Sequence, residues 1–428
     1  MAEARALETA IRALFSAAGP ERRWLPAEAQ LEGVAVTSVL GGPERGVALA
    51  ELTFAQGCFR AAVAFDASSG SLAVREVFEA DFSQGLIELL RALAFTGPRS
   101  DEVSAALVQG SAEPIFLDQS NSAFLLGDGG FGKFYRRCGD VSREAQYYRH
   151  LAGSGVAAGF WGEFSYPDGS VAALVTERLE DPRSAWDIAG SLLDQGELQG
   201  AAKLAGECGR ALGEMHDRLA DSWPESSEVS LGRLREWLDH RLERHQGVLG
   251  ASEGFEMAAT ELRRLASDLQ GPFPCSHIHG DFHLGQLVRS GDALVIIDFE
   301  GEPEAGAGPM DLAERDLAGL LRSIGYLAPA DSDEGLRQLL RSAALEGYAA
   351  SGAGGKMLEL PERVALLALF ETEKALYEMA YETRFRPEML AVPATALERL
   401  AWRLEGLAGT ASQAPGSLTA LVRREYAR

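Results

Sequence analysis

Asp281, Gln286 and Asp298 lie close together in the sequence, between residues 277 and 303. Asp281 follows a His-Gly pair, Gln286 comes five residues later, and Asp298 follows the apolar run Val295-Ile296-Ile297. Carboxylate and amide oxygens are ligands that Mg²⁺ prefers, and a further carboxylate can accept the proton of an attacking hydroxyl. The spacing therefore predicts a phosphoryl-transfer site in which Asp281 receives the proton, while Gln286 and Asp298 hold Mg²⁺ against the phosphates of ATP.

A strand-turn-strand unit would bring these oxygens together. Leu287-Val288 and Val295-Ile296-Ile297 predict two strands, and Ser290-Gly291-Asp292 predicts the turn between them. Phosphoryl transfer depends on positioning and charge neutralisation, so ligands must converge from adjacent backbone segments. The alternative, in which the two aspartates are ordinary turn acids, is disfavoured because the motif combines both acids with the amide.

Three histidines flank the first aspartate, at positions 277, 279 and 283. We interpret His279 as an orienting side chain that is hydrogen-bonded to the backbone. A metal cluster of the three histidines is the alternative. Alternating histidines on a short segment without cysteines make a poor zinc pattern, which disfavours that cluster.

The longer segments around these residues resemble a known family. His-Gly-Asp-Phe-His-Leu-Gly-Gln (279–286) and Asp-Phe-Glu-Gly-Glu-Pro (298–303) are similar to the catalytic and metal loops of aminoglycoside-phosphotransferase-like kinases, and in this fuller form to those of maltokinases. Residues 315–323 and 374–387 resemble two helices of that family. The resemblance implies an α+β, bilobal protein-kinase-like fold, with a β-rich N-lobe, an α-helical C-lobe and an additional N-terminal α/β cap.

Three domains are expected on this basis. They are an N-terminal cap (1–108), a nucleotide-binding N-lobe with the hinge (109–180), and a mostly helical C-lobe with the catalytic loop, metal loop and sugar site (181–428). Apolar runs and turn signals predict strands at 33–39, 47–54, 59–65, 115–117, 123–126, 132–135 and 172–176. Helical periodicity predicts helices at 86–94, 209–219, 231–249 and 255–269.

Several N-lobe residues are candidates for nucleotide binding. Ser120, Asn121 and Ser122 belong to a turn that resembles the family's Ser-Asn-Thr-Ser turn over the phosphates, although a plain hairpin turn is the alternative. Lys133 is the candidate for contact with the α- and β-phosphates, and Glu144 could hold it in an ion pair. The alternatives are a solvated strand lysine and a surface acid.

The hinge is expected directly after the strand predicted at 172–176. Glu177 and Leu179 lie there and would offer backbone groups to adenine. This inference is positional, because any residue can present a backbone N–H and C=O.

A late helix is the candidate sugar platform. Lys374, Tyr377, Tyr381 and Arg384 are spaced i, i+3, i+7 and i+10, so they share one helix face. Tyrosine rings stack on sugar rings, and the two cations can donate to hydroxyls. The resemblance implies that maltose binds here; the alternative is that the tyrosines are half-buried packing residues.

Three residues near the motif complete the substrate-binding candidates: His283, Glu300 and Glu302. The two glutamates could assist either metal or sugar binding. The resemblance favours a kinase that converts maltose to maltose 1-phosphate in α-glucan metabolism. The alternative is a glucosamine kinase, which Glu398 and Trp402 suggest. An aminoglycoside phosphotransferase and a catalytically silent pseudokinase are less favoured.

Composition limits the classes of partner. The net charge of −23 over 428 residues disfavours nucleic acid. No apolar run approaches 20 residues and no signal peptide is evident, so no membrane association is expected. Cys58, Cys138, Cys208 and Cys275 show no paired spacing, which favours a reducing cytoplasm. The sugar and ATP are the expected partners, and the resemblance adds a possible association with trehalose synthase.

Overall fold

The computed structural model describes residues 2–16, 30–42, 44–79, 82–115, 121–138, 142–224, 227–250, 253–301, 310–328, 334–397 and 399. The chain divides into two compact units. The first unit is Met1–Ala152 with Ala158–Leu179, and the second is Gly153–Ala157 with Glu180–Arg428. Strands and helices mix in the first unit and helices dominate the second, so the α+β class expected from the sequence is confirmed.

The first unit combines helices with two antiparallel sheets. Its elements are α1 Ala2–Ser16, β1 Gly33–Gly41, β2 Arg45–Phe54, β3 Gly57–Asp66, β4 Ala73–Glu76, α2 Ser83–Ala92, β5 Ala94–Thr96, α3 Ser100–Gln109, β6 Ala112–Ile115, β7 Ser122–Leu126, β8 Gly130–Phe134, α4 Ser142–His150, β9 Phe160–Ser165 and β10 Val171–Glu177. One sheet has the order β1-β2-β3-β4 and the other β5-β9-β10-β8-β7-β6. The strand expected at 115–117 is instead β6, which ends at Ile115, and residues 116 and 117 lie outside the described ranges.

Helix α1 covers one face of the four-stranded sheet. Leu7, Ile11 and Phe15 recur every four residues, which places them on one side of the helix. All three are buried in a cluster with Leu52 of β2 and Val63 of β3. The periodicity of α1 thus closes one side of the sheet with apolar surface.

The opposite face of this sheet shares a hydrophobic core with the six-stranded sheet. Leu49 of β2, Leu86 of α2, Phe124 of β7 and Phe134 of β8 belong to the same buried cluster. Strand β5, within the residues expected to form the cap, pairs with β9 of the second sheet. Residues of the expected cap and N-lobe therefore pack together within the first unit, and the domain boundary at 108 stays a prediction.

A buried arginine links the two sheets of the first unit. Arg136 is fully buried and donates to the Glu76 carboxylate at 2.5 Å and to the Ser122 hydroxyl at 2.8 Å. Its guanidinium carbon lies 4.7 Å from the centre of the Phe78 ring. A charge can remain inside a protein when it is paired and hydrogen-bonded, as this one is.

Removing the counter-charge should destabilise the first unit strongly. Glu76→Gln leaves Arg136 buried without its carboxylate, a change that typically costs about 3–5 kcal/mol of unfolding free energy. The matched control is Glu79→Gln in the more exposed pair with Arg75, where roughly 1 kcal/mol or less is expected. Urea unfolding measures both variants, and equal small losses would contradict the prediction.

The second unit is mostly helical. Its elements are β11 Arg183–Ser184, α5 Ala185–Asp194, α6 Leu198–Ser222, β12 Glu228–Val229, α7 Leu231–Leu249, α8 Glu253–Asp268, β13 Phe273–Pro274, β14 Ser276–His277, β15 Leu287–Ser290, β16 Ala293–Ile296, β17 Met310–Asp311, α9 Glu314–Leu327, α10 Glu334–Ala349, α11 Gly352–Glu359 and α12 Pro361–Phe385. Two short 3₁₀ helices cover Leu284–Gln286 and Pro387–Met389. Within the described ranges, no helix is long and apolar enough to cross a bilayer.

Helix α6 is longer than the 209–219 expected from periodicity. Small residues along it let it approach α10 closely. A Cβ at Gly209 would overlap the carbonyl oxygen of Ala344 in α10. Ala205 and Ala201, one and two turns earlier, are buried as well. Small side chains give a weak apolar signal in sequence but allow a tight helix contact in the fold.

The hairpin expected next to the acidic motif is present. Strands β15 and β16 pair in antiparallel register, with Gly291 and Asp292 in the turn. The second strand ends at Ile296, one residue before the predicted end, and the chain then leaves the sheet toward Asp298. The hairpin thereby returns the chain from Gln286 to Asp298.

Candidate active site

The imidazole of His279 joins the two loops that carry the predicted catalytic and metal-binding acids. Its Nδ1 accepts the backbone N–H of Asp281 at 3.3 Å, and its Nε2–H donates to the carbonyl oxygen of Ile297 at 2.9 Å. These partners assign the proton to Nε2. Since Ile297 precedes Asp298, one buried ring holds both acid-bearing backbones. The orienting role expected for His279 is confirmed.

A second buried acid, Asp316 of α9, holds the same loop. Its carboxylate accepts the backbone N–H groups of His279 at 2.7 Å and Gly280 at 2.8 Å. His216 contacts it at 3.1 Å through Nε2, and the Tyr348 hydroxyl contacts Nδ1 of His216 at 3.0 Å. Burial alone would raise the pKa of Asp316, but hydrogen bonding and charge from His216 outweigh it and the pKa is lowered. An ionised carboxylate therefore anchors the loop.

Asp316 is a residue of the site that the sequence analysis missed. It lay in the stretch 315–323 that supported the family resemblance, but it looked like an ordinary acid in the first turn of a helix. His216 is a buried histidine whose two ring nitrogens both have partners, Tyr348 and Asp316. The link from His216 to Asp316 spans 100 positions and is invisible in a local motif.

The predicted metal ligands are neighbours. The Gln286 side-chain N–H donates to Asp298 Oδ2 at 3.2 Å, and the backbone oxygen of Gln286 accepts the N–H of Ile297 at 2.9 Å. Asp298 has a φ of +65°, a left-handed conformation that aspartate tolerates better than most residues. An amide beside a carboxylate is a donor set that suits a hard divalent cation.

The pKa of His283 is influenced by both predicted acids. Burial is the largest influence on its pKa and lowers it, while the carboxylates of Asp281 and Asp298 act in the opposite direction. Its Nδ1 accepts the backbone N–H of Gly285 at 3.0 Å and caps the 3₁₀ helix that ends at Gln286. The predicted contact with substrate stays a prediction, and the observed contact orders the metal loop.

Lys374 lies beside the predicted catalytic acid. Its Nζ is 3.6 Å from Asp281 Oδ1, and the Asp281 side chain is 34% exposed. The same ammonium lies 4.7 Å from the centre of the Tyr377 ring on the next turn of α12. Lys374, the first residue of the predicted sugar platform on α12, thus lies next to Asp281.

The aromatic face of α12 continues away from Asp281. The ring centres of Tyr377 and Tyr381 are 6.4 Å apart and the two rings are near-parallel. The ring centre of Phe385 is 4.9 Å from that of Tyr381. Tyr377 is half-buried beside His245, whereas Tyr381 is 40% and Phe385 58% exposed. Arg384 is exposed, with its guanidinium carbon 5.1 Å from the Phe385 ring centre. Phe385 is an aromatic residue of this surface that the sequence reading did not include.

The glutamates next to this face serve packing. Glu378 accepts from Arg322 of α9 at 2.6 Å, and Glu382 accepts the Tyr326 hydroxyl at 3.0 Å. Both contacts join α12 to α9. Glu300 is exposed in the turn after Asp298, so its assignment stays a prediction. Glu302, Glu398 and Trp402 lie outside the described residues.

In the first unit, Lys133 and Glu144 form the expected ion pair, with 3.0 Å between Nζ and Oε2. Glu144 is buried and also accepts the Tyr135 hydroxyl at 2.7 Å. A carboxylate held in this way fixes the lysine side chain on β8. The contact of Lys133 with a nucleotide stays a prediction.

The side chains of the predicted phosphate turn bind Arg136. Asn121 Oδ1 accepts the backbone N–H of Arg136 at 3.1 Å, and the Ser122 hydroxyl accepts from its guanidinium. Ser120 lies outside the described residues. Any phosphate contact at this turn would therefore use backbone groups, which remains a prediction.

At the predicted hinge, the backbone N–H of Glu177 donates to the carbonyl oxygen of Gly159 at 2.7 Å. The backbone N–H of the next residue, Arg178, donates to the carbonyl oxygen of Gly129. Leu179 follows β10 and is half-buried. The N–H of Glu177 is therefore committed to the protein itself. Adenine contacts at Glu177 and Leu179 stay predictions.

A protein-family model and two curated proteins match this chain in sequence. A sequence model described as APH, phosphotransferase enzyme family, matches residues 111–351. A glucosamine kinase of Mycolicibacterium smegmatis (strain ATCC 700084 / mc(2)155) is 25% identical over 324 residues, covering 67% of this chain and 79% of that protein. A glucosamine kinase of Streptacidiphilus jiangxiensis is 26% identical over 258 residues, covering 55% and 57% respectively.

The fold is also similar to that of solved structures. A glucosamine kinase in complex with glucosamine, ADP and inorganic phosphate superposes with a TM-score of 0.64 at 22% identity, covering 91% of this chain and 98% of that chain. The kinase-like fold is thereby confirmed. The narrower maltokinase assignment is not supported, because the relatives are glucosamine kinases. The predictions of maltose as substrate, of a role in α-glucan synthesis and of association with trehalose synthase rested on that assignment and are likewise unsupported.

Close approach of α9 to the Asp281 loop should make Gly319 sensitive to substitution. A Cβ there would overlap the carbonyl oxygen of Phe282, so Gly319→Ala should cost about 1–3 kcal/mol of unfolding free energy. On the same helix, Gly325→Ala meets only the Arg322 side-chain end at 3.5 Å. That control should be neutral or gain up to about 1 kcal/mol from helix propensity. Urea unfolding compares them, and equal stabilities would refute the close contact.

His283 should make stability depend on pH. Its pKa in the folded protein lies below the ordinary 6.5, so the unfolded chain binds more protons as the pH falls through that value. The stability contributed by neutral His283 is present above 6.5 and is lost on acidification toward the lower, folded pKa. His283→Asn keeps a capping oxygen but does not titrate. Between about pH 7.5 and about pH 5.5, wild type should lose more unfolding free energy than the variant; parallel losses would exclude His283 as the cause.

Proposed function

The chain belongs to the phosphotransferase enzyme family, whose match at residues 111–351 covers more than half of it, and from this premise we propose that it transfers the terminal phosphoryl group of ATP to a hydroxyl of glucosamine. The observation that carries the proposal is the accessible Asp281 carboxylate at the start of the aromatic face of α12. The glucosamine kinases among its relatives support the amino sugar over maltose.

Asp281 is the proposed proton acceptor. Its carboxylate is accessible, while its backbone is held by His279 and, through Gly280, by Asp316. A base fixed in this way can meet a sugar hydroxyl without reorganising the loop. Lys374, 3.6 Å away, orients the carboxylate and keeps positive charge beside the reacting groups.

Gln286 and Asp298 are the proposed ligands of a divalent cation, Mg²⁺ by our proposal. Gln286 donates its side-chain N–H to Asp298. A half-turn of the Gln286 amide would put its oxygen where the N–H group is, so that both residues present oxygen to one ion. A cation held there would supply charge neutralisation for the phosphates. His279 and the hairpin hold these two residues in place.

Lys133 is the proposed phosphate-binding cation of the first unit. Its ion pair with buried Glu144 holds the ammonium group in one position before a nucleotide binds. Because the side chain is already ordered, nucleotide binding would cost little further side-chain entropy. The Tyr135 hydroxyl donates to Oε2 of the same carboxylate, the oxygen that Lys133 contacts. The arrangement favours contact with the α- and β-phosphates of ATP.

The exposed aromatic surface of α12 suits the apolar ring face of a sugar. Arg386 lies 5.3 Å from the Tyr381 ring centre and Lys374 lies over Tyr377, so the partner that we propose for the sugar ammonium is a carboxylate beside the motif and not these rings. Glucosamine offers both a ring face for stacking and an ammonium group. N-acetylglucosamine keeps the ring but loses the charge, which makes it the matched comparison.

Substrate specificity tests the proposal. The pure protein is incubated with ATP and Mg²⁺ and with glucosamine, N-acetylglucosamine, maltose or kanamycin, and ADP release is followed. We expect kcat/KM for glucosamine to exceed that for the other acceptors by about tenfold or more, since one charge contact is worth at least about 1.4 kcal/mol here. A preference for maltose would overturn the amino-sugar assignment, and no turnover with any acceptor would overturn kinase activity.

Variants of two aspartates test the assigned base in the same assay. Asp281→Asn should lower kcat by about 10²–10⁴-fold, the usual contribution of a general base. Asp292→Asn makes the same chemical change in the exposed hairpin turn and should leave kcat unchanged. An Asp281→Asn protein with full activity and unchanged circular dichroism would remove Asp281 from the mechanism.

A further inference from the structure

Two cysteines that are far apart in the sequence meet in the first unit. Cys58 lies on β3 and Cys138 lies beyond the end of β8, 80 positions later. Their sulfur atoms are 2.7 Å apart, and both residues are half-buried. The sequence showed no paired spacing, so this pair is a product of the fold.

The backbone holds the two cysteines directly opposite each other. Cys138 donates its N–H to the carbonyl oxygen of Cys58 at 3.0 Å, and Arg60 donates to Arg136 two residues along. Between these bonds, Phe59 and Arg137 form an antiparallel bridge. Opposed residues of a hydrogen-bonded antiparallel pair have Cα atoms about 5.5 Å apart. That separation lies within the range of roughly 4.4–6.8 Å that a disulfide requires.

We propose that Cys58 and Cys138 form a redox modification site, at which a low-molecular-weight disulfide converts the two thiols to an intramolecular disulfide. The thiolate of one cysteine attacks the external disulfide, forms a mixed disulfide and releases one thiolate. The other cysteine then loses its proton and attacks the protein sulfur of the mixed disulfide, which releases the second thiolate. The two protons of the protein thiols pass to the released thiolates, so one small disulfide is reduced to two thiols for each protein disulfide formed.

The surroundings of the pair slow its exchange with small disulfides. Burial, the hydrogen bond with Cys58 and negative charge nearby raise the pKa of Cys138 to about 12. Only a thiolate attacks a disulfide, so a raised pKa slows thiol exchange at neutral pH. Oxidation of the pair should accordingly become faster as the pH rises.

A metal site is the competing use of the same group. Glu51 lies within 4.8 Å of both sulfurs, and thiolates with a carboxylate can bind Zn²⁺. Two thiolates on one tetrahedral zinc ion would lie roughly 3.8 Å apart, from Zn–S bonds of about 2.3 Å. The observed 2.7 Å is much closer and favours the disulfide.

The crosslink would join two elements with different predicted roles. Strand β3 belongs to the expected cap, whereas Cys138 follows the strand that carries Lys133. Arg136 and Tyr135 lie between them, and Tyr135 contacts the carboxylate that holds Lys133. Oxidation would tie this segment covalently to β3 and remove freedom from the unfolded chain.

Thiol mapping tests the proposal on the full chain. The protein is equilibrated in buffers with increasing ratios of oxidised to reduced glutathione, free thiols are alkylated, and peptides are identified by mass spectrometry. We expect a peptide crosslinked through Cys58 and Cys138, with Cys208 and Cys275 alkylated after unfolding. Full alkylation of all four cysteines in oxidised glutathione, or a crosslink through another cysteine, would overturn the proposal.

Serine variants provide the matched controls. Cys275→Ser should retain the crosslink, whereas Cys58→Ser and Cys138→Ser should each abolish it. Oxidation should raise the Tm of wild type and of Cys275→Ser by several degrees, reversibly with dithiothreitol, and should leave the Tm of Cys58→Ser unchanged. Equal Tm shifts in all variants, or loss of zinc accompanying any change in wild type, would favour another cause and refute the disulfide.

Discussion

The position of Asp281 depends on a carboxylate that never reaches the solvent. Asp316 is buried at the start of α9 and accepts two consecutive backbone N–H groups of the loop that leads to Asp281. Its charge is stabilised by His216, which is itself held by Tyr348. A buried ionised group is stable only when all its partners are in place, so this chain of contacts ties the loop to the helical core.

The hairpin and His279 transmit that order to the second acid. The ring of His279 takes a hydrogen bond from one loop and gives one to the other, which fixes the spacing between the backbones at Asp281 and Asp298. Helix α12 then brings Lys374 to Asp281 from a third direction. Its neighbouring acids, Glu378 and Glu382, are used to attach the helix to α9. The same helix therefore supplies both a packing face and the proposed sugar face.

In the first unit, the buried pair Arg136–Glu76 plays a comparable part. It lies in the core that the two sheets share and draws Asn121 and Ser122 into its hydrogen bonds. The same stretch of chain that contains Arg136 leads to Cys138 and pairs with β3. Packing, buried charge and the cysteine pair thus coincide along one short segment after the strand of Lys133.

Local chemistry in the sequence was enough to predict the hairpin between Asp281 and Asp298 and the ion pair of Lys133 with Glu144. Each rests on short-range spacing, on turn residues, or on a strand and the helix that follows it. Helix α7 was predicted to its observed bounds, because its apolar periodicity is regular throughout. The extent of α6 was underestimated, since glycine and alanine reveal their value only against a second helix.

Long-range partners were decided by the tertiary structure alone. The link of His216 to Asp316, the contact of Lys374 with Asp281 and the approach of Cys58 to Cys138 join residues 100, 93 and 80 positions apart. No local pattern encodes such a pair, because either residue by itself resembles a helix acid, a surface lysine or an isolated thiol. By itself, the sequence determined the family and the residues that we propose for phosphoryl transfer. Only the fold decided which side chains hold those groups, because burial and distance exist only once the chain has packed.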